Sequence, residues 1–136
     1  HDGVPGYRED IGKRVDEIFN KLPTKRILER YNWSIYDDPK LFQPVQSKPF
    51  VEFKETEPNK LFLRVERQTI RKLPKYGTVL FTIRVHVDPI ESILNDKHSL
   101  KSLKMAIENL PGPMKEYKSI NQFEKSLIDW LEDKIN

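Results

Sequence analysis

Between Leu61 and Asp88 the chain alternates apolar and polar residues with a period of two, and beyond that point it changes to a helical period. Leu61, Leu63 and Val65 are spaced for one strand, and Val79, Phe81, Ile83, Val85 and Val87 for a second. Such alternation gives a strand one apolar and one polar face. Leu61–Leu73 and Thr78–Asp88 therefore read as a β-hairpin that turns around Pro74–Gly77. Register decides which side chains share a face. A three-residue loop with Leu73 opposite Gly77 gathers the apolar positions on one side, pairing Val65 with Val85 and Leu63 with Val87. It predicts Glu66 opposite Arg84 and Arg64 opposite His86 on the polar side.

Helical periodicity brackets the hairpin. Ile11, Val15, Ile18, Phe19 and Leu22 predict an amphipathic helix over Tyr7–Leu22 that stops before Pro23. Leu100, Leu103, Ile107 and Leu110 predict a second, ended by Pro111-Gly112-Pro113, and Phe123, Leu127, Trp130 and Leu131 predict a last one. Asp88-Pro89-Ile90-Glu91 has the residues of a capped helix start, and Asn121 with Glu124 forms a similar pair. Ile27–Tyr36 reads as a short strand in its second half. Asp37–Pro58, with Pro39, Pro44, Pro49 and Pro58, reads as an extended connector with room for a short strand at Phe50–Phe53. Helix, strands, then helices define an α+β class, with an antiparallel sheet and a long β-hairpin followed by C-terminal helices.

The 136 residues suit one domain spanning residues 1–136. With 24 basic and 21 acidic residues the net charge is only +3, so no nucleic-acid partner is expected. No apolar run approaches the roughly 18 residues of a membrane helix, and no membrane partner is expected. The absence of cysteine excludes disulfides and thiolate metal sites within the chain. With no signal in these residues, the expected location is cytoplasmic. The chain opens on His1-Asp2-Gly3-Val4-Pro5-Gly6-Tyr7 without a Met, which raises the expectation of a piece of a longer protein.

Arg64, Glu66, Gln68, Thr82, Arg84 and His86 alternate with the apolar positions of the hairpin. Such a cluster can hold an anionic group or orient a polar ligand; it can equally be a solvated sheet face with cross-strand ion pairs. His1, His86 and His98 are the only histidines, and no two have helical metal-ligand spacing. His1 precedes a Gly/Pro loop and can offer a ring nitrogen to a metal or haem iron; a solvated terminus is the other reading. No P-loop, dinucleotide-binding or nucleophile-elbow motif is present.

Arg64–Pro74 (RVERQTIRKLP), Gly77–Arg84 (GTVLFTIR) and Asp88-Pro89-Ile90 resemble the C-terminal half of the haem-dependent oxidative N-demethylases, a family also known as DUF3445. The opening HDGVPGY and Arg30-Tyr31-Asn32-Trp33 resemble two further segments of that family, in the same order. The resemblance implies a PAS-like fold holding haem b. It implies oxidative demethylation of a small secondary amine with O2 and with electrons from a reductase partner. By the same resemblance His1 is the axial iron ligand, and Arg64 and Arg67 bind the haem propionates. Glu66 holds the substrate ammonium and shares the catalytic face with Arg84 and His86. The alternatives are a non-catalytic PAS-like ligand-binding or sensor module and an inactive fragment.

Overall fold

The computed structural model describes residues 12–42 and 58–136. The elements run α1 (Gly12–Lys21), β1 (Ile27–Tyr36), β2 (Phe62–Lys72), β3 (Val79–Pro89), α2 (Lys97–Glu108), α3 (Gly112–Tyr117) and α4 (Glu124–Ile135). Short 3-10 turns at Pro58–Lys60 and Ile90–Ile93 precede β2 and follow β3. The strands form one antiparallel sheet in the order β1-β2-β3. The α+β class, the hairpin and the C-terminal helices are as the periodicity predicts. The predicted strand at Phe50–Phe53 and the first turns of the Tyr7–Leu22 helix lie outside the described residues.

The described residues fall into two compact units, one drawn from 12–33 and 65–86 and the other from 34–42, 58–64 and 87–136. The second holds most of the buried apolar side chains. Ile35, Leu61, Ile90, Leu100, Ile107, Phe123, Leu127 and Leu131 are all at most 1% exposed. α2 packs on α4, and Lys104 ties the pair by donating to Glu108 at 2.7 Å and Glu132 at 3.2 Å. In the first unit Leu22 is buried, but Ile18, Ile27, Leu28, Leu80, Phe81 and Ile83 are exposed. Its α1 is joined to the sheet by Lys72 Nζ, which donates to the Asn20 carbonyl at 3.5 Å.

The hairpin register differs from the predicted one. Leu73 N donates to the Thr78 carbonyl at 2.7 Å, while the Leu73 carbonyl accepts from Gly77 N at 3.1 Å. The loop is therefore the four residues Pro74–Gly77, and Leu73 faces Thr78. The Thr69 and Thr82 hydroxyls, 2.5 Å apart, keep the same offset. So does Ile90 N, which donates to the Leu61 carbonyl at 2.9 Å. Val65 thus faces His86, not Val85, and Leu63 faces Asp88, not Val87. A one-residue shift turns every side chain of one strand to the other face of its partner. The loop length follows from Gly77, whose φ of +64° is open to glycine at little cost. A Cβ at Gly77 meets nothing within 4 Å, so Gly77→Ala is expected to cost about 1 kcal/mol through the backbone alone. Gly77→Asn should cost less, since Asn tolerates the left-handed region; urea midpoints of the two variants check both.

Two predicted caps are also corrected. Asp88 does not cap a helix: β3 continues through Pro89, and the following 3-10 turn has no side-chain cap bond. The cap lies at Asp96, which accepts from His98 N at 2.9 Å and from the Ser99 hydroxyl at 2.5 Å. Asn121 does not cap α4, and Glu124 instead accepts from Lys115 Nζ at 2.5 Å. The strand β1 fills all of Ile27–Tyr36 rather than its second half. Pro111-Gly112-Pro113, predicted only to end α2, also opens α3, where proline is tolerated because its missing N–H would have no helical partner.

The hydrogen bond from Ser99, with support from the backbone, holds the Asp96 carboxyl below its ordinary range. A carboxyl lowered in the folded state stabilises fully above its unfolded pKa and loses that contribution as pH falls through the lowered folded value. Acid titration of the Asp96 carboxyl by NMR is expected to find it below the usual aspartate value. Asp96→Asn should flatten the acid limb of stability; an unchanged limb would contradict the cap.

Candidate functional site

Directly opposed residues of an antiparallel pair share a face. In the first unit the observed register puts Val65, Arg67 and Thr69 of β2 on one face with His86, Arg84 and Thr82 of β3. Glu66 and Gln68 point to the other face, with Val85 and Ile83 as their neighbours on β3. The predicted catalytic set of Glu66, Arg84 and His86 is therefore divided, with Glu66 on one face and Arg84 and His86 on the other. Glu66 faces Val85 rather than Arg84. Arg64 faces Val87 rather than His86.

On the face of Arg84 and His86, Arg67 faces Arg84. The Glu29 carboxylate takes up the Arg67 guanidinium, accepting from Nε at 2.8 Å and also from NH2. The Tyr31 hydroxyl donates to the same carboxylate at 2.8 Å. The Arg67 bond and then the Tyr31 bond hold Glu29 below the usual glutamate range, and the pairing raises Arg67. This is the exposed cross-strand ion pairing that the sequence left open as an alternative. Arg67 and Glu66, adjacent on a strand, point to opposite faces, so they cannot hold the two ends of one ligand lying on a single face.

On the Glu66 face the side chains form a directed chain. Arg30 Nε donates to Gln68 Oε1 at 2.6 Å, and Gln68 Nε2 donates to Glu66 Oε2 at 3.1 Å. Gln68, 5% exposed, is the buried polar side chain among the described residues. Beside this chain β3 presents Phe81, Ile83 and Val85, with Phe81 and Ile83 exposed. A carboxylate held next to a strip of apolar side chains matches a small cation with alkyl substituents, because charge and methyl groups each find a partner.

The second unit holds Arg64 separately. Its guanidinium lies over the Tyr36 ring, 5.8 Å from the centroid, and NH1 donates to the Leu41 carbonyl at 3.2 Å. His98 is exposed in the first turn of α2. His1 lies outside the described residues. No group of three or more His, Cys, Asp or Glu poised to hold a metal occurs among the described residues. An open groove between α1 and the start of β1, lined by Arg14, Ile18, Leu22, Arg26 and Leu28 among others, contains none of the predicted site residues. No helix among the described residues is long and apolar enough to cross a membrane.

Arg30 was not predicted as a site residue, and Gln68 was named in the hairpin's polar cluster but given no role of its own. Their signals were present in the sequence: Arg30 opens the Arg-Tyr-Asn-Trp segment, and Gln68 follows Glu66 at the period-two spacing that puts both on one face.

Fold and faces together define an α+β protein whose sheet carries a carboxylate, an amide and a guanidinium in one chain of hydrogen bonds beside an apolar strip. The model of the family described as haem-dependent oxidative N-demethylase, alpha subunit-like, matches residues 1–128. The chain belongs to that family, whose description carries a dependence on haem.

The side chains of the Glu66 face fit the edges of a haem. Arg30 is a guanidinium of the kind that grips a propionate, and the exposed Phe81 offers apolar surface to a flat ring. Among the described residues neither His86 nor His98 belongs to this group: His86 is on the opposite face and His98 is in the second unit.

Proposed function

We propose that this chain contributes the amine-binding wall of a haem-dependent oxidative N-demethylase acting on a small secondary amine. The observation that carries the reading is the place of Glu66, which the register pairs with Val85 and sets on one face with Ile83 and Arg30. At neutral pH a secondary amine is a cation with two alkyl groups. Glu66 accepts hydrogen bonds from its ammonium, and Val85 and Ile83 receive its methyl groups and exclude water around them. Arg30, on the same face, would hold a propionate. His1, by the resemblance of HDGVPGY to the family's opening segment, would supply an imidazole to the iron.

Haem b, when bound, supplies the oxidation of the N-methyl carbon with O2 and electrons from a reductase. The residues of this chain fix which carbon is presented. They hold the nitrogen through a charge and leave the methyl groups against apolar side chains, so the binding energy orients the substrate. Arg84 and His86, on the opposite face, take no part in this contact.

The test is formaldehyde release from dimethylamine by the haem-loaded protein with a reductase or chemical electron donor. Formaldehyde formed in proportion to amine consumed is the expected result. A protein that takes up haem and binds dimethylamine but forms no formaldehyde would instead be the ligand-binding or sensor module.

A further inference from the structure

We infer that Gln68 is a positioning residue for Glu66 and that Arg30 sets its polarity. This rests on the reading of Glu66 as the ammonium-binding carboxylate. An arginine guanidinium can only donate hydrogen bonds. By donating from Nε at 2.6 Å it makes the oxygen of the Gln68 amide face Arg30. The amide nitrogen is then turned toward Glu66 and donates to Oε2 at 3.1 Å. Polarity therefore runs one way along the chain, from Arg30 through Gln68 to Glu66, and Oε2 is always an acceptor.

Gln68 is 5% exposed, and no buried side-chain polar atom among the described residues lacks a partner. A buried amide that loses one partner leaves a polar group unsatisfied, so the chain resists rearrangement. The consequence is a carboxylate whose Oε2 is held toward Gln68. An oxygen so held narrows the directions in which Glu66 accepts, and this favours one orientation of a cation of two alkyl groups relative to Ile83 and Val85. Arg30 and Gln68 act through Glu66 and not on the substrate nitrogen. Specificity for charged amines accordingly depends on a residue that does not touch them.

The experiment measures KM and kcat for dimethylamine in the haem-loaded protein carrying Glu66→Gln, Gln68→Leu, Arg30→Met, or the first two together. Gln68→Leu removes the donor at similar volume and is expected to raise KM about tenfold, the loss of one hydrogen bond to a charged group. Haem absorbance should be unchanged and kcat less affected than KM. Arg30→Met, at an exposed position, removes the charged donor to Gln68 and should raise KM by less than the tenfold of Gln68→Leu, because it acts through Gln68; its haem occupancy is matched to the wild type by absorbance before KM is read, since Arg30 is also assigned to a propionate. With Glu66→Gln already present, Gln68→Leu should add nothing to KM. A Gln68→Leu effect as large in the Glu66→Gln background as in the wild type, or wild-type KM in both Gln68→Leu and Arg30→Met, would overturn the positioning role. A wild-type KM in Glu66→Gln would instead overturn the reading of Glu66 itself.

Discussion

Replacing Phe123 with alanine is expected to remove about 3–5 kcal/mol of stability from the second unit. Phe123 is 1% exposed and lies where the chain enters α4. Its carbonyl accepts from Leu127 N at 2.9 Å, and its own N–H donates to the Ile120 carbonyl at 3.0 Å. The ring thus sits in a segment fixed at both ends, and Ile120, Leu127 and Leu131 of the same unit are fully buried like it. Truncation leaves a cavity that a segment so tied cannot collapse to fill. The cost therefore includes both the lost transfer of the ring from water and the void left behind. Urea unfolding followed by helical circular dichroism should find the midpoint shifted with little change of slope. A loss below about 1 kcal/mol would mean that Phe123 is not a core residue.

The largest functional effect is expected at Glu66. Glu66→Gln keeps shape and removes charge, so the ammonium loses a charge-assisted hydrogen bond of about 1.5–3 kcal/mol. That corresponds to a rise of about 10- to 150-fold in KM for dimethylamine. Arg84→Gln and His86→Gln, on the opposite face, should leave that KM near its wild-type value. The contrast follows from the register alone. Under the register predicted from the alternation, Arg84 would stand beside Glu66, and its removal would change amine binding as well. Steady-state kinetics on the three variants separates the two arrangements.

The helices were legible because their apolar spacing is local. Leu100, Leu103 and Ile107, and Phe123, Leu127 and Leu131, are buried as that spacing predicts. The hairpin strands were legible for the same reason, to within a residue at each end. Their register was not. It depends on a loop one residue longer than the apolar pattern suggests, and that length rests on the left-handed conformation of Gly77.

The assumption of one apolar face also failed for a physical reason. In the second unit Leu61 is buried and backbone-bonded to Ile90, and both belong to its core. The same offset of pairing puts Leu63 and Val65 of β2 on the face that Val79, Phe81 and Ile83 of β3 turn away from. Glu124 was misread because its partner, Lys115, is nine positions away rather than in the adjoining cap. The family resemblance stated on RVERQ and LFTIR was borne out over most of the chain, whereas the faces on which those residues act came only from the backbone hydrogen bonds.

Everything proposed for this sheet depends on a small secondary amine meeting Glu66 on the face shared with Ile83 and Val85. Methyl NMR during titration with dimethylammonium tests that contact most directly, because Leu80 on the opposite face is an internal reference. The Ile83 and Val85 methyl signals are expected to move while Leu80 stays in place, and Glu66→Gln is expected to abolish the movement. Movement of Leu80 with Ile83 and Val85 unchanged, or no movement at any of the three, would contradict it.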